Sequence, residues 1–308
     1  MLGRNVAEAI EDRGPRGLVA PEIRELAGEA DFFLLNLECC ISARGTPWSD
    51  PSKPFFFRAP PEAVETLSGL GVDCVTLANN HVLDFGQEAL LDTFEHLHAA
   101  GIACVGAGVD EPEARRPAVF ELRGLRLGVL AFADHPAEYA AGPERPGIAF
   151  ADLGRGLPDW VAAAIGVLEA DAVLVTPHWG PNMTAAPVDH LRAAAEDLVG
   201  AGATLVAGHS AHVVHGIAGR VLYDLGDFLD DYAVNPGLRN DLGLLFLVTL
   251  DERGPIELEA VPLKLDFCHT CVAEGEDAAW IRRRFAEACR ALGTEVGERN
   301  GRLTVAWR

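Results

Sequence analysis

The sequence predicts an α/β fold in which strands and helices alternate along the chain. Short apolar runs typical of buried strands are separated by stretches with helical apolar spacing. Polar residues follow several of these runs directly, as at residues 36–38 and 79–84. Such alternation is typical of layered α/β proteins, in which ligands bind beyond the carboxyl ends of the strands.

The individual elements follow from this pattern. Strands are predicted at residues 31–38, 72–77, 103–105, 127–132, 172–176, 204–207, 221–225 and 244–250. Helices are predicted at residues 61–69, 87–100, 157–169, 188–201 and 278–292. Pro61 lies in the first turn of the first helix and Gly101 follows the second, which are typical start and stop signals.

The charge balance excludes one broad class of partner. The 308 residues include 25 Lys and Arg against 46 Asp and Glu, a formal net charge of −21 at pH 7. Binding to phosphate backbones requires clustered positive charge. We therefore expect neither nucleic acid nor an anionic membrane surface to be a partner.

The cysteines indicate a reducing compartment. Seven are present at irregular spacing, and Cys74 and Cys104 lie inside apolar runs, which is typical of buried thiols. No stretch of about 18 apolar residues occurs, and the first residues lack the charged-then-apolar order of a signal peptide. The sequence as given predicts a cytoplasmic protein without a membrane anchor.

Four polar clusters lie at the ends of predicted strands, and each offers His, Asn or Glu. Burying such groups without partners costs several kcal/mol each, and a metal ion would satisfy them. Imidazole nitrogens together with carboxylate and amide oxygens suit Zn, Mn or Fe. The clusters are Asn36-Leu37-Glu38, residues 79–84, His178-Trp179-Gly180 and residues 208–212.

The loop at residues 79–84 (NNHVLD) is the most informative cluster. The side-chain oxygen of Asn80 can bind a metal without adding charge, which leaves His81 available for proton transfer or transition-state stabilisation. Asp84 follows three residues after His81. It would either orient the imidazole or cap the helix predicted to start near Gln87.

A set of motifs in chain order carries a family resemblance. They are KPFFFRAPP at 53–61, LANNHVLDFG at 77–86, HWG at 178–180, GHSAHVV at 208–214 and YDLGDF at 223–228. With these motifs the chain resembles the CapA family of capsule-synthesis proteins, which is similar to the calcineurin-like metallophosphoesterases. The resemblance spans about residues 1–250.

The resemblance implies a four-layer α/β/β/α sandwich of the metallophosphatase type. Residues 1–266 would form this CapA domain. Residues 267–308 would add a C-terminal helix and strand that pack on the same domain.

The resemblance also implies a site with two divalent metal ions, Mn, Fe or Zn. Glu38 would be the bridging carboxylate and Asn80 would bind the second metal, with His178, His209 and His212 as further ligands. His81 would face the substrate without binding metal. A metal-activated water would then attack a phosphoester bond or an amide bond such as a γ-glutamyl bond.

Three features depart from the family pattern. The family has an Asp metal ligand on its first strand, and that Asp would lie two residues before Met1. We therefore expect that the start was assigned at an internal methionine or that the chain is trimmed. A chain complete as given would have a mononuclear, weakened or inactive site. Asn182 stands where the family usually has Glu. Asp227 stands where it often has Asn, and an acidic run follows. That run is a solvated loop, a rim for an amine-bearing substrate, or a partner for Arg239.

Several further residues are candidates for the substrate side of the site. Asn36 and Asn79 flank expected ligands, and His215 either lines the same pocket or is a surface histidine. Arg4 would pair with a substrate anion. Asn182, Asp227 and Arg239 are assigned to substrate binding as well. The segment Cys268-His269-Thr270-Cys271 resembles half of a zinc site but lacks a second pair of ligands.

The preferred interpretation is a metal-dependent hydrolase that acts on a small-molecule or peptide substrate, with a homo-oligomer as an open option. The alternative is a non-catalytic binding or assembly protein of poly-γ-glutamate or capsule synthesis with an incomplete metal site. A third option is a structural sandwich whose polar strand ends are satisfied by water.

Overall fold

The computed structural model describes residues 1–51 and 53–308. It is a mixed α/β protein with several sheets. The helices are α1 Asn5–Arg13, α2 Pro21–Ala27, α3 Val64–Leu70, α4 Gly86–Ala99, α5 Glu111–Ala114, α6 Asp159–Gly166, α7 Asp189–Gly200 and α8 Gly275–Ala291. Short 3-10 turns lie at Pro15–Leu18, Pro61–Ala63 and Ala137–Tyr139.

The strands fall into a first and a second half of the chain. Those of the first half are β1 Leu34–Asn36, β2 Cys40–Ile41, β3 Arg58–Ala59, β4 Cys74–Thr76, β5 Ala103–Val105, β6 Ala107–Gly108, β7 Ala118–Leu122, β8 Leu125–Ala133 and β9 Gly147–Ile148. Those of the second half are β10 Ala172–His178, β11 Leu205–Ala207, β12 Ile217–Ala218, β13 Val221–Leu222, β14 Leu242–Asp251, β15 Gly254–Asp266, β16 His269–Val272, β17 Gly297–Arg299 and β18 Arg302–Ala306.

A six-stranded sheet has the order β12-β13-β11-β10-β8-β7. Strands β8, β10, β11 and β13 run parallel to one another, while β7 and β12 are antiparallel edges. Every residue of β10 is buried, as expected for a parallel strand covered on both faces. The register places His178 of β10 opposite Ala133 of β8, so both strands end at the same level.

A three-stranded parallel sheet, β1-β4-β5, lies next to the six-stranded one. Gly106, directly after β5, marks where the two sheets approach each other. It has φ +83°, and a Cβ there would lie 2.6 Å from Cβ of Ala78 and 2.8 Å from Cβ of Ala131. Glycine is therefore required by both conformation and space. The loop after β4 is held close to β8 as a result.

The C-terminal part forms an antiparallel sheet with the order β14-β15-β18-β17, and β16 also pairs with β15. Helix α8 packs against this sheet, with the ring centroids of Phe246 and Phe285 5.8 Å apart. The amino-terminal part is tied to the same sheet, since Ala20 N donates to Thr270 O at 2.8 Å.

Most predicted strands and helices lie within a few residues of their observed positions, and the strand at 103–105 has the predicted bounds. Strand β15 was not among the predicted strands, because Pro255 and Pro262 argue against a strand. Pro262 lies between the residues of β15 that pair with β18 and those that pair with β16. The missing N–H of the proline therefore interrupts neither pairing.

Candidate active site

The predicted polar clusters converge where β1, β4, β10 and β11 end. His178 is the last residue of β10, and His209 follows β11. The loop of residues 79–84 follows β4, and Glu38 follows β1. Convergence of this kind is expected because parallel strands end at the same edge of a sheet.

His178 and His209 lie at the centre of the cluster, paired in a parallel bridge. Their Nδ1 atoms are 3.0 Å apart. That distance fits a hydrogen bond between the two rings, which would leave both Nε2 atoms free for another partner. The Nε2 atoms of both rings are buried and have no hydrogen-bond partner among the described residues.

Burial disfavours the charged form of both imidazoles. It lowers the pKa of His209 to about 3, and positive charge on His212 and His135 adds to the effect. It also lowers the pKa of His178 well below its ordinary value, with the neighbouring histidines adding to the shift. A neutral imidazole presents a lone pair, which is the form that binds a metal ion.

Glycine at position 208 allows this arrangement. A Cβ at Gly208 would lie 2.3 Å from Nε1 of Trp179 and 2.6 Å from the backbone oxygen of Tyr223. Those two atoms are joined by a hydrogen bond of 2.8 Å that crosses in front of Gly208. The indole of Trp179 thereby fixes the chain that leads into His209.

Glu38 is held by a chain of amides. Asn36 Nδ2 donates to Glu38 Oε2 at 2.8 Å, and Asn79 Nδ2 donates to Asn36 Oδ1 at 3.0 Å. Asn79 is fully buried, and its Oδ1 accepts from the backbone N–H of His81 at 3.0 Å. Asn36 and Asn79 thus join the ends of β1 and β4 and position Glu38, rather than presenting free amides to a substrate.

His212 links Glu38 to Asp227. Its Nδ1 lies 2.9 Å from Asp227 Oδ1, and its Nε2 lies 3.9 Å from Glu38 Oε1. Burial alone would lower the pKa of His212, but the negative charges of Asp227 and Glu38 raise it to about 10. Burial likewise opposes ionisation of Asp227, yet His212 holds its pKa below the ordinary value. A metal ion at Nε2 would have to displace the proton of His212.

The backbone of this loop is strained at two residues. Ser210 has φ 138° and His212 has φ 59°, a region that residues other than glycine rarely adopt. Backbone strain of this kind concentrates at functional sites, where surrounding contacts enforce it.

Asp84 orients His81. His81 Nδ1 lies 2.7 Å from Asp84 Oδ2, and Asp84 is fully buried. The same carboxylate accepts from Phe57 N at 2.7 Å and from the Tyr139 hydroxyl at 3.1 Å. The structure therefore favours the orienting role over the capping role for Asp84. The amino end of α4 has no side-chain cap among the described residues.

The donor atoms needed for a metal site are present, buried and unused. Five atoms of the predicted residues that converge here lack a hydrogen-bond partner within residues 1–51 and 53–308: Glu38 Oε1, Asn80 Oδ1, His178 Nε2, His209 Nε2 and Asp227 Oδ2. Orphaned buried groups cost free energy unless a ligand satisfies them. Their chemistry fits a borderline divalent ion. Yet no three His, Cys, Asp or Glu side chains of the described part of the chain already form a group able to hold a metal.

Two residues of the cluster escaped the sequence analysis. His135 follows β8, and its ring centroid lies 5.0 Å from that of His178. Lys53 Nζ lies 2.9 Å from Asp84 Oδ1 and 2.7 Å from the backbone oxygen of Asn80. The position of His135 directly after a strand was the available signal, the same one that singled out the four predicted clusters.

Four predicted substrate-side residues lie away from the histidines. Asn182 is exposed on the rim of a separate cleft. His215 Nε2 lies 2.8 Å from the backbone oxygen of Thr184. Arg239 pairs with Asp241 at 2.7 Å and Asp277 at 2.6 Å.

Arg4 lies behind the site. Its guanidinium carbon is 5.5 Å from the ring centroid of Phe57, whose opposite neighbour is His81, with ring centroids 4.5 Å apart. Its Nε is 3.4 Å from Asp231. The structure therefore brings Glu38, Asn80, His81, Asp84, His178, His209, His212 and Asp227 to one region, with Asn36 and Asn79 supporting Glu38. It places Arg4, Asn182, His215 and Arg239 on other partners.

A cavity of about 920 Å³ opens beside this cluster. One wall is the edge strand β1 and another is the edge strand β14. Glu38, His209, His212 and Asp227 line it. The cluster is thus reachable from the side on which Glu38 and His212 face each other.

Comparison with known proteins assigns the chain to a family. The family model described as "Bacterial capsule synthesis protein PGA_cap" matches residues 1–232. The chain belongs to the PGA_cap family.

Relatives of this PGA_cap protein carry names from polymer synthesis. It is 35% identical over 291 residues to the "Probable polyglutamine synthesis accessory protein Rv0574c" of Mycobacterium tuberculosis, covering 89% of this chain and 76% of that one. It is 27% identical to the "Capsule biosynthesis protein CapA" of Bacillus anthracis, covering 86% and 65% of the two chains. A solved "Putative 5'-Nucleotidase from Staphylococcus aureus" aligns with 72% of this chain and 43% of that chain at 13% identity, with a TM-score of only 0.41.

No helix of the described residues is long and apolar enough to cross a membrane.

Proposed function

We propose that this PGA_cap protein is a metal-dependent hydrolase built on a four-layer metallophosphatase-like sandwich. The observation that carries the proposal is a set of buried donor atoms without partners on Glu38, Asn80, His178 and His209, residues that lie at or just after the ends of four separate strands. Two divalent ions, Mn, Fe or Zn, would satisfy them. Their ligands would be Glu38, Asn80, His178, His209 and His212.

The bound ions would supply a hydroxide from water and stabilise the charge that develops on the attacked bond. The protein's own residues would do the rest. Asp84 fixes the ring of His81 through Nδ1, which leaves Nε2 to meet the leaving group. Asn36 and Asn79 hold Glu38 in place. The edge-on contact between Phe57 and His81 keeps water from one side of the imidazole.

The bond cleaved would be a phosphoester or an amide, and the amide would be γ-glutamyl if the chain acts in the polymer synthesis that its relatives' names describe. All seven cysteines are free thiols, which suits action in the cytoplasm. Assays with p-nitrophenyl phosphate and with γ-glutamylglutamate, each at saturating Mn²⁺ and Zn²⁺, test the proposal. Turnover must disappear in His81→Ala while metal content stays unchanged. Absence of turnover on both compounds in metal-loaded protein contradicts it.

A second candidate is a non-catalytic accessory protein of polymer synthesis. Two observations favour it. The mycobacterial relative is named as an accessory protein. In the described part of the chain, no three His, Cys, Asp or Glu side chains are already grouped so that they could hold a metal ion. In that case His81→Ala would leave function in capsule or polymer assembly unaffected.

A further inference from the structure

Asp224 is a buried carboxylate beside the cluster, and the proposed ligand set does not use it. It lies just after β13, in the segment of residues 223–228. Its Oδ2 accepts from the backbone N–H of Ala211 at 2.7 Å, and its Oδ1 accepts from the backbone N–H of Gly226 at 2.9 Å. One side chain therefore joins the loop after β11 to the loop after β13.

The first of these bonds holds the strained part of the loop after β11. Ala211 lies between Ser210 and His212, the two residues whose φ angles are 138° and 59°. The carbonyl of Ala211 is held as well, since Met183 N donates to it at 2.9 Å. Strained backbone persists only where surrounding contacts enforce it. The bond from Ala211 to Asp224 is one of the contacts that enforce the conformation at His212.

The second bond holds the other partner of His212. Gly226 directly precedes Asp227, whose Oδ1 lies 2.9 Å from His212 Nδ1. The chain is closely packed here, because a Cβ at Gly226 would lie 2.8 Å from Cγ2 of Val214. Asp224 thus bonds the backbone next to both members of the pair His212 and Asp227.

This geometry requires a carboxylate. Two N–H groups meet two separate oxygens of Asp224, and an ionised carboxylate can accept at both. An Asn side chain has only one accepting oxygen, and its amide N–H₂ would face the second donor. Burial of a carboxylate costs free energy that its hydrogen bonds must offset. The bonds to the two loops are the interactions that the carboxylate gains at this position.

We propose that Asp224 is a positioning residue for the metal site. It acts through the backbone of the two loops and sets the positions of His209 and His212, without binding the ion itself. The inference rests on the proposed function, because these histidines are ligands only if the site binds metal.

The first experiment measures metal affinity in Asp224→Asn, which keeps the size of the side chain and one accepting oxygen. The Kd for Zn²⁺ is measured by titration calorimetry below the melting temperatures of both proteins. It should rise about 10–100-fold, as is typical when a residue that orients metal ligands is lost. An unchanged Kd together with a lowered melting temperature would show a purely structural role and overturn the proposal.

The matched control is Asp73→Asn. The carboxylate of Asp73 also accepts from a backbone N–H, that of Phe33 at 2.8 Å, but it lies where β1 and β4 begin rather than where they end. The Kd for Zn²⁺ should stay unchanged in this variant. If Asp224→Asn does not fold, Asp224→Ser takes its place with the same expected rise in Kd, because the smaller hydroxyl also cannot accept at two separate oxygens.

The second experiment needs no metal. Histidine signals are compared in ¹⁵N-histidine-labelled, EDTA-treated wild type and Asp224→Asn. The signals of His209 and His212 should shift, while those of His81, which Asp84 orients, and of exposed His98 should stay in place. Unmoved signals of His209 and His212, or equal shifts of all four histidines, would overturn the proposal.

The outcomes separate this inference from the proposed function. Wild-type protein that binds no Zn²⁺ contradicts the proposed function, and the histidine signals then decide by themselves whether Asp224 positions the two loops. Zn²⁺ binding by wild type with an unchanged Kd in the Asp224 variant supports the proposed function and contradicts the inference.

Discussion

Lys53 and Asp84 form an ion pair of 2.9 Å beneath the proposed leaving-group histidine. The side chain of Asp84 is fully buried and that of Lys53 is 13% exposed. The same ammonium group donates to the backbone oxygen of Asn80 at 2.7 Å. One cation therefore ties the loop that carries Phe57 to the loop that carries Asn80 and His81.

Removing this cation should destabilise the protein strongly. Lys53→Met leaves the buried carboxylate of Asp84 without its ion-pair partner, which typically costs about 3–5 kcal/mol. Urea unfolding of the variant against the wild-type protein measures the difference. The control is Arg308→Met, since Arg308 pairs with Asp251 at the surface and its loss should cost less than about 1 kcal/mol. Equal effects of the two substitutions would contradict the structural role of Lys53.

The stability of metal-free protein should depend on pH through His209. The pKa of His209 falls from its ordinary 6.5 to about 3 in the folded state, because burial disfavours the charged form. Between these values the folded state binds fewer protons than the unfolded state. The contribution of neutral His209 is therefore complete above about pH 6.5 and is lost as the pH falls toward 3, by up to about 1.4 kcal/mol per pH unit.

Unfolding free energies of EDTA-treated wild type and His209→Asn, measured from pH 7 downward, isolate this effect. The difference between the two proteins should change steadily with pH below the ordinary pKa. Burial raises the pKa of Asp224 to about 7, and this group contributes an opposing pH dependence to both proteins. Its contribution cancels when the two unfolding free energies are subtracted. For the exposed control His98→Asn, we expect a difference from wild type that does not change with pH. The same pH-independent difference for His209→Asn would show that His209 is not buried as described.

Alanine at position 208 should damage the site through its backbone. The added Cβ would meet Trp179 and the backbone of Tyr223, so the chain leading into His209 must shift. Overpacking of this kind typically costs about 1–3 kcal/mol. Gly200→Ala is the matched control, because a Cβ at this position of α7 meets nothing within 4 Å and should stabilise by up to about 1 kcal/mol. Thermal unfolding of both variants tests the contrast, and a neutral Gly208→Ala would refute the close contact.

The sequence predicted the positions of the donor groups well because parallel strands end at one edge. His178 and His209 came together for that reason, and so did Glu38 and the loop of residues 79–84. The partners that hold these residues were not predictable, since they depend on contacts distant in sequence. Lys53 reaches Asp84 from 31 residues earlier, and Tyr139 reaches it from 55 residues later. Arg239 was assigned to substrate binding, but it pairs with Asp241 and Asp277. The sequence does not distinguish an arginine held by internal carboxylates from one that binds a substrate.

Metal content tests the central claim most directly. Purified protein is loaded with Mn²⁺ or Zn²⁺, dialysed, and measured by elemental mass spectrometry beside the double variant His178→Ala/His209→Ala and the control His98→Ala. We predict one to two ions per chain in wild type and control and a clear loss in the double variant. Protein that retains no stoichiometric metal, or a double variant that retains as much as wild type, would contradict the account.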